Sequence, residues 1–362
     1  MTADDAKRTV IQMGKKLLHT KLTVRTWGNV SVRIDSENYA ITPSGRGYEN
    51  LKREDIVVLN INAPDTFGAI TPSSERLLHA EIYKTNSQAK CIIHTHQKFA
   101  SACAGCVHSV PITDKKEKTV LGDAIPCTKY APAGSKELAH NIAESLKNEK
   151  TGAVLIPYHG AVCFGKNPKE VFLRAQAMET ACRTFIFSVL PDFADFFNSY
   201  TEENTTQIFP TSMRADNGAA ENSAYHTIYE TYPEINCIEL SIMPVSAYLS
   251  KKINAEENSI PAFLEDFAQI AGENIFCKSV KSGEKITADF LKGRNAVLIK
   301  NFGVLCCVSD YGDMYALKEI CEKNFLAFLL SKKFKNYLPL KTESAKRMRI
   351  EYINGYSKRG VH

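Results

Sequence analysis

The most constraining feature of this sequence is an internal repeat, because two copies of one pattern are expected to fold alike. Residues 82–91 (IYKTNSQAKC) are matched by residues 228–237 (IYETYPEINC), and residues 153–160 (AVLIPYHG) by residues 296–303 (AVLIKNFG). The offsets are 146 and 143, so the order and spacing of the segments are nearly constant. We interpret this pattern as a duplicated domain.

The two copies differ at their polar positions. Three histidines of the first copy are replaced by apolar residues in the second: His94 by Leu240, His96 by Ile242 and His159 by Phe302. Ser73, Ser74 and Glu75 are aligned with Ala219, Ala220 and Glu221, and nothing in the second copy matches Thr26–Gly45. The second copy is therefore predicted to be a structural domain that has lost its chemistry.

The length of 362 residues also favours two compact domains. A polar stretch at Ser199–Thr206 predicts the boundary between them. We expect a first domain at 1–198, a degenerate repeat at 207–340 and a basic C-terminal tail at 341–362.

Hydrophobic periodicity predicts a mixed α/β fold. A helix is expected at 3–21, with further helices at about 74–86, 135–148 and 168–190, and strands at Val30–Ile34, Tyr39–Ile41, Ile56–Ile61 and Cys91–His94. The hairpins among these strands favour a mostly antiparallel central sheet covered by helices, in an α/β/α three-layer arrangement, over a Rossmann alternation.

Composition excludes several classes of protein. The net charge of +5 suits an anionic small-molecule substrate but is too small and scattered to predict nucleic-acid binding. No apolar run is long enough for a membrane span, and the N-terminus lacks a signal-peptide core. Eleven cysteines without close-set pairs do not predict a disulfide framework. We therefore expect a cytoplasmic protein that binds neither membrane nor nucleic acid.

Three histidines suggest a metal site. His94 and His96 end a strand, and the period of two along a strand points both imidazoles to one side. His159 follows another strand, and three nitrogen ligands suit a catalytic divalent ion with open positions. Core histidines bonded to the backbone are the alternative interpretation. The residues after His96 exclude the H-x-H-x-D-H pattern of some hydrolases.

Serine- and glycine-rich turns suggest an anion site. Thr71–Glu75 opens a predicted helix, where Ser73 or Ser74 could cap free N–H groups or receive an anion. The turns at 27–31 and 42–45 offer amide donors beside glycines that an anion could approach. Taken singly, each is an ordinary cap or turn. His79, one turn after Glu75, is a rival ligand or a supporting residue.

Taken in order, these segments resemble the class II aldolase/adducin family. The matching strings are TWGNVSVR (26–33), TPSGR (42–46), PSSE (72–75) with His79, CIIHTH (91–96), AIPCTKY (124–130) and YHGAVCFG (158–165). The resemblance extends from about residue 8 to 190, and weakly over 219–331 through the repeat. It implies a class II aldolase-like fold, duplicated.

The resemblance also implies specific roles. One Zn²⁺ per chain, or another divalent transition metal, would be bound by Glu75, His94, His96 and His159. The phosphate of a small sugar phosphate would be held by Gly28, Asn29, Ser44, Gly45, Ser73 and Ser74. The enzyme would then be a zinc-dependent aldehyde-lyase that acts on a ketose 1-phosphate, such as L-fuculose 1-phosphate, through a zinc-stabilised enediolate. Glu75 would move the proton at carbon.

Departures from the family pattern leave alternatives open. Lys115 stands where family aldolases have a tyrosine that serves the leaving hydroxyl, and Ala133 stands where they have a phenylalanine. Lys115 is our candidate for the second proton donor. A sugar-phosphate epimerase or dehydratase is the alternative enzyme, although family epimerases carry aspartate at the position of Glu75. An adducin-like binding module is the non-catalytic alternative.

The resemblance further implies a homo-oligomer, because family members form cyclic tetramers. A chain with one active and one inactive copy could form a dimer that acts as a pseudo-tetramer. A tetramer of first copies is the other arrangement.

Overall fold

The structure is a computed structural model that describes residues 1–24, 27–147, 151–201, 211–213, 225–254, 257–281 and 284–356. It divides into two compact units, Met1–Ile186 with Gly355–His362 and Phe187–Asn354. The division therefore precedes the boundary that we predicted at 199–206. Ala219, Ala220 and Glu221, residues 202–206 of the predicted linker and residues 357–362 of the predicted tail lie outside the described residues.

The first unit is built around an antiparallel sheet. Its helices are α1 (Ala3–His19), α2 (Arg76–Thr85), α3 (Lys98–Cys103), α4 (Lys115–Leu121), α5 (Lys136–Leu146) and α6 (Pro168–Val189), the last ending beyond the division. Its strands are β1 (Asn29–Arg33), β2 (Asn38–Ile41), β3 (Val57–Asn60), β4 (Cys91–Thr95), β5 (Ser109–Pro111), β6 (Ala124–Pro126), β7 (Ala153–Ile156) and β8 (Gly160–Gly165). The sheet order is β3-β2-β1-β4-β8-β7, and the hairpin β5-β6 is joined to β7 by one parallel bridge.

The sequence explains these elements locally. Helix α1 starts where the Thr2 side chain accepts a hydrogen bond from the backbone of Asp5, and it buries Val10 and Leu17 on one face. Strand β4 is buried along its whole length, as a central strand covered on both faces requires. The predicted helices and strands of this unit are confirmed to within two residues at each end. The fold class, α/β with antiparallel sheets and helices, is also confirmed.

The second unit contains the remaining elements. Its helices are α7 (Pro191–Ser199), α8 (His226–Thr231), α9 (Pro244–Lys252), α10 (Glu265–Ile270), α11 (Met314–Ser331) and α12 (Thr342–Glu351). Its strands are β9 (Ser212–Met213), β10 (Cys237–Ser241), β11 (Ser259–Pro261), β12 (Asn274–Lys278), β13 (Ala296–Ile299) and β14 (Gly303–Val308), in the order β11-β12-β13-β14-β10-β9.

Strand pairings in the two units agree residue by residue. In the first unit Cys91 pairs with Gly165 and Ala153 with Cys163; in the second, Cys237 pairs with Val308 and Ala296 with Cys306. These are the positions that the repeat in the sequence aligns. Strand β9 pairs with β10 as β1 pairs with β4. A counterpart of β1 therefore exists, two residues long, although we expected none.

The segment predicted as a basic tail is partly folded. Helix α12 packs against α10, Ala345 is buried, and the guanidinium of Arg349 donates to the carbonyl of Gln269 at 2.9 Å. The basic residues of this segment therefore include one that anchors a helix. Among the described residues, every helix is too short or too polar to cross a bilayer.

Candidate metal centre

Strand β4 and the turn between β7 and β8 place the three histidines. His94 lies in β4 and His96 directly follows it, whereas His159 lies in the turn between β7 and β8. Tyr158 adopts a positive φ of 63° in that turn. At Gly160 a Cβ atom would collide with the carbonyl oxygen of Thr95, so only glycine lets the turn lie this close to β4. The turn thereby brings His159 beside His94.

The side-chain nitrogens of these histidines converge. The Nε2 atom of His94 lies 2.8 Å from Nε2 of His96 and 3.1 Å from Nε2 of His159. The carboxylate of Glu75 closes the group, with Oε1 at 3.1 Å from His159 and Oε2 at 3.0 Å from His94. The four residues predicted to bind the metal are thus in one place.

Hydrogen bonding shows which nitrogens are free to bind an ion. Nδ1 of His94 lies 3.0 Å from the carbonyl oxygen of Ala161, and a carbonyl can only accept, so Nδ1 carries the proton. In the neutral imidazole Nε2 then has a bare lone pair directed at the other nitrogens. A lone pair directed in this way can bind a cation. The donor set of three imidazoles and one carboxylate therefore fits a divalent transition metal.

The pKa values of Glu75 and His94 are both shifted by their surroundings. Burial raises the pKa of Glu75, but the neighbouring His94 and His159 more than reverse this and hold that pKa well below its usual range. Burial lowers the pKa of His94 well below its usual value. A carboxylate and an imidazole whose pKa values are both lowered are each disposed to lose a proton, which is the form in which they bind a cation.

His79 is directed away from the histidine group. Its Nε2 atom contacts Oδ1 of Asn29, and the Asn29 amide nitrogen donates to Oε2 of Glu75 at 2.8 Å. Burial lowers the pKa of His79 to about 4. Of the two roles that the sequence left open for His79, the structure favours support over ligation.

The loops predicted to bind phosphate lie side by side. The backbone N–H of Ser44 donates to Thr71 at 2.9 Å, and that of Ser73 donates to Thr42 at 3.0 Å. Helix α2 begins at Arg76, two residues later than predicted, and the backbone N–H of Glu75, which has no acceptor within the helix, donates to the Ser73 hydroxyl at 3.2 Å. Ser74 is exposed, whereas Ser73 is buried.

The backbone conformation explains why glycines occur in these loops. Gly28 has φ +91°, and a Cβ atom there would collide with the carbonyl of His94. Gly45 has φ +71° in the turn after β2. Asn29 uses one amide hydrogen on Glu75 and has a second for another acceptor. The phosphate assignment of these residues stays a prediction.

Lys115 occupies a different setting from the other predicted site residues. It is exposed at the first position of α4, whereas Glu75 is buried. An exposed lysine could exchange a proton with the substrate of a buried site only if another element or chain brought the substrate to it. Its role as second proton donor also stays a prediction.

The corresponding positions of the second unit are apolar. Leu240, Ile242 and Phe302 belong to or pack against the core formed around Ile238 and Leu305. Within the ranges that the structure describes, the His94, His96 and His159 group is the only set of three or more potential ligands that converge.

Sequence analysis missed two residues of the site, Ser31 and Tyr83. The Ser31 hydroxyl lies 2.6 Å from Nδ1 of His79 and 2.8 Å from the Tyr83 hydroxyl. A signal for both was present. Ser31 is two residues from Asn29 on a strand and Tyr83 is four residues from His79 on a helix, spacings that put side chains on the same face.

The part of the chain that contains this site is similar to known proteins. The family model "Class II Aldolase and Adducin N-terminal domain" matches residues 8–186. The L-fuculose phosphate aldolase of Escherichia coli (strain K12) is 30% identical over 186 residues, which cover 51% of this chain and 85% of that protein. The chain belongs to the class II aldolase and adducin family.

Other members of the family are also similar to it. A Mycoplasma pneumoniae protein named probable L-ribulose-5-phosphate 4-epimerase is 32% identical over 200 residues, covering 51% of this chain and 82% of that protein. A solved structure of an L-fuculose 1-phosphate aldolase is 31% identical, covers 57% of this chain and 95% of that chain, and has a TM-score of 0.49. The family match lies in the unit that contains the three histidines.

Proposed function

We propose that the protein is a metal-dependent class II aldolase that cleaves or forms a carbon–carbon bond in a small sugar phosphate, a ketose 1-phosphate such as L-fuculose 1-phosphate. The observation that carries this proposal is the convergence of His94, His96 and His159 with the ionised carboxylate of Glu75. A binding module has no need of this donor set, which is costly to bury without a cation.

Zinc is the ion that we propose, one per chain, because three imidazoles and one carboxylate suit its coordination chemistry. When bound, such an ion supplies positive charge beside the substrate oxygens, where negative charge accumulates as the bond breaks.

The residues of the chain would perform the remaining steps. In the cleavage direction the hydroxyl next to the breaking bond loses its proton, and the bonding electron pair passes to the fragment that becomes an enediolate. In the bond-forming direction the ionised Glu75 would take the proton from carbon of that fragment, and in cleavage the protonated Glu75 would return it to that carbon. Lys115 is the candidate for the hydroxyl proton.

The phosphate would lie against the joined loops. Ser44, Gly45, Ser73 and Ser74, with Gly28 and Asn29, are proposed to hold it, because the backbone hydrogen bonds between these loops gather hydroxyl and amide donors in one region. The Ser74 hydroxyl is exposed to an incoming ligand, and the Ser73 hydroxyl, which accepts from the backbone of Glu75, keeps its own hydrogen to donate.

A sugar-phosphate epimerase is the second candidate. It is favoured by the similarity to the Mycoplasma protein whose name is that of an epimerase. Product analysis separates the two functions, since an aldolase releases an aldehyde and an epimerase does not.

We further propose that residues 207–340 are a degenerate copy of the first domain without a metal. This is supported by the agreement of strand pairings and by the apolar residues at all three histidine positions. Filling such a pocket with apolar side chains favours folding, because buried polar groups without partners are costly.

Metal analysis tests the proposed function. Purified protein is expected to contain close to one zinc ion per chain and to release an aldehyde from ketose 1-phosphates. His96→Ala should lose both the metal and the activity, because the site then has too few ligands. His140→Ala, which removes an exposed histidine of α5, should lose neither. Two ions per chain, or activity that persists without metal, would contradict the proposal.

A further inference from the structure

Helix α2 and strand β1 face each other through a continuous set of polar side chains. Glu75 directly precedes α2, and His79 and Tyr83 follow on the helix at intervals of four residues, while Asn29 and Ser31 lie two residues apart on β1. All five residues are at most 5% exposed. Hydrogen bonds join them in the order Tyr83, Ser31, His79, Asn29, Glu75.

The direction of these hydrogen bonds is determined from the Glu75 end. Oε2 of Glu75 accepts from the Asn29 amide nitrogen at 2.8 Å, so the Asn29 carbonyl oxygen faces His79. That carbonyl only accepts, so Nε2 of His79 carries a proton.

The remaining bonds follow from the neutral imidazole. Nδ1 of His79 is then bare and accepts from the Ser31 hydroxyl, whose oxygen accepts from the Tyr83 hydroxyl. Every bond in the series donates toward Glu75. Aligned hydrogen bonds of this kind polarise one another in a buried site.

We propose that His79, Ser31 and Tyr83 are positioning residues, which act through Asn29 to hold Oε2 of Glu75 and direct Oε1 into the histidine group. Oε1 lies 3.1 Å from Nε2 of His159 and receives no bond from this series. The two carboxylate oxygens therefore have different surroundings: Oε2 contacts His94 and also accepts from Asn29, whereas Oε1 contacts His159 and receives no bond from Asn29. The proposal deepens the proposed function, on which it depends for the role of Glu75.

A purely structural role for the same residues makes different predictions. A buried network that only stabilises the fold would affect unfolding but leave the turnover of folded protein unchanged. Partners that orient the ligands of a metal typically affect metal affinity or activity about 10- to 100-fold when they are removed.

Two substitutions at His79 separate these roles. His79→Leu removes both hydrogen bonds and should lower kcat about 10-fold and speed the release of metal to a chelator about 10-fold, with little change in KM. His79→Gln should restore most of both, because its amide can donate to Asn29 and accept from Ser31.

A matched control exists in the same core. The Tyr39 hydroxyl donates to the carbonyl of Arg76 at 3.0 Å, on the same helix but outside the series, and its ring contacts that of Tyr83. Tyr39→Phe should therefore leave kcat and metal release unchanged. Equal effects of Tyr39→Phe and His79→Leu, or a His79→Gln variant as impaired as His79→Leu, would overturn the proposal.

A spectroscopic measurement keeps the test independent of folding of the variants. Nitrogen NMR of the native protein labelled at histidine should show His79 neutral, protonated at Nε2 and bare at Nδ1. A proton on Nδ1 would overturn the proposal. Neither this measurement nor metal release uses a substrate. A wrong substrate would therefore contradict the proposed function alone, and a wrong tautomer would contradict the positioning role alone.

Discussion

The burial and hydrogen bonding of the site residues depend on their neighbours in the fold and not on residue type alone. Glu75 is an N-terminal residue of a helix, a position where carboxylates are common, yet here it is buried and beside three imidazoles. Ser73 and Ser74 are adjacent in sequence, but only the Ser73 hydroxyl accepts from the backbone of Glu75. Neighbouring residues of one type therefore have different capacities for a ligand.

Ser74 is the residue at which the phosphate site can be tested. Ser74→Ala should raise KM for a phosphorylated ketose about 10-fold, because a hydrogen bond to a charged phosphate contributes more than a neutral one. Metal content should stay near one ion per chain, since Ser74 is not a ligand. Steady-state assays measure both, with Ser109→Ala on the exposed edge of β5 as the control. Equal turnover of the unphosphorylated sugar by the native protein would contradict the phosphate site.

At the scale of elements, a carboxylate in each unit accepts hydrogen bonds from the backbone N–H groups at the start of a helix. Glu179 on α6 accepts from the backbone of Phe99 and Ala100, both at 2.9 Å. Glu322 on α11 accepts from Val245 at 3.0 Å and from Ser246 at 2.6 Å. Each carboxylate satisfies N–H groups that a helix start leaves without intrahelical partners. The contact recurs at positions that the repeat aligns.

Removing this contact should destabilise the first unit. Glu179→Gln replaces one accepting oxygen by a donor that opposes a backbone N–H, and we expect a loss of about 2 kcal/mol in the free energy of unfolding. Trp27 is the single tryptophan and lies in that unit, so its fluorescence during urea unfolding measures the effect. Glu144→Gln, an exposed position of α5 with the same change in charge, should leave the midpoint unchanged. Identical midpoints for both variants would refute the capping role.

At the scale of the whole molecule, two units share one pattern of strand pairing but differ at the metal positions. A copy without ligands can persist if it contributes surface and not chemistry, because apolar residues at Leu240, Ile242 and Phe302 are compatible with a packed core. The family resemblance implies cyclic assemblies of four domains. Two chains of this kind would provide four domains.

The assembly is predicted to be a homodimer that carries two metal ions. Native mass spectrometry measures mass and metal count together, and light scattering checks the mass in solution. A mass of two chains with two ions supports a pseudo-tetramer. A mass of four chains would show that the second unit lies outside a tetramer of first units, and a monomer would exclude both arrangements.

The sequence by itself determined the elements and much of the candidate site. Periods of two and of about four residues are local properties, so the four helices and four strands predicted in the first unit were located to within two residues, whereas α3, α4, β5 and β6 were not predicted. The same local rule put His94 and His96 on one side of β4. The segments that the repeat aligns pair in the same way in the two units, and the interpretation of this pattern as a duplicated domain stays a proposal.

Only the tertiary structure decided which polar groups meet. Asn29 and Glu75 are 46 residues apart, and His79 and Asn29 are 50 apart, so no local period connects them. The pairing of β9 with β10 and the packing of α12 likewise depend on contacts between distant segments. The position of a side chain along a helix or strand determines the face on which it lies. Its hydrogen-bond partner depends on which other segment packs against that face.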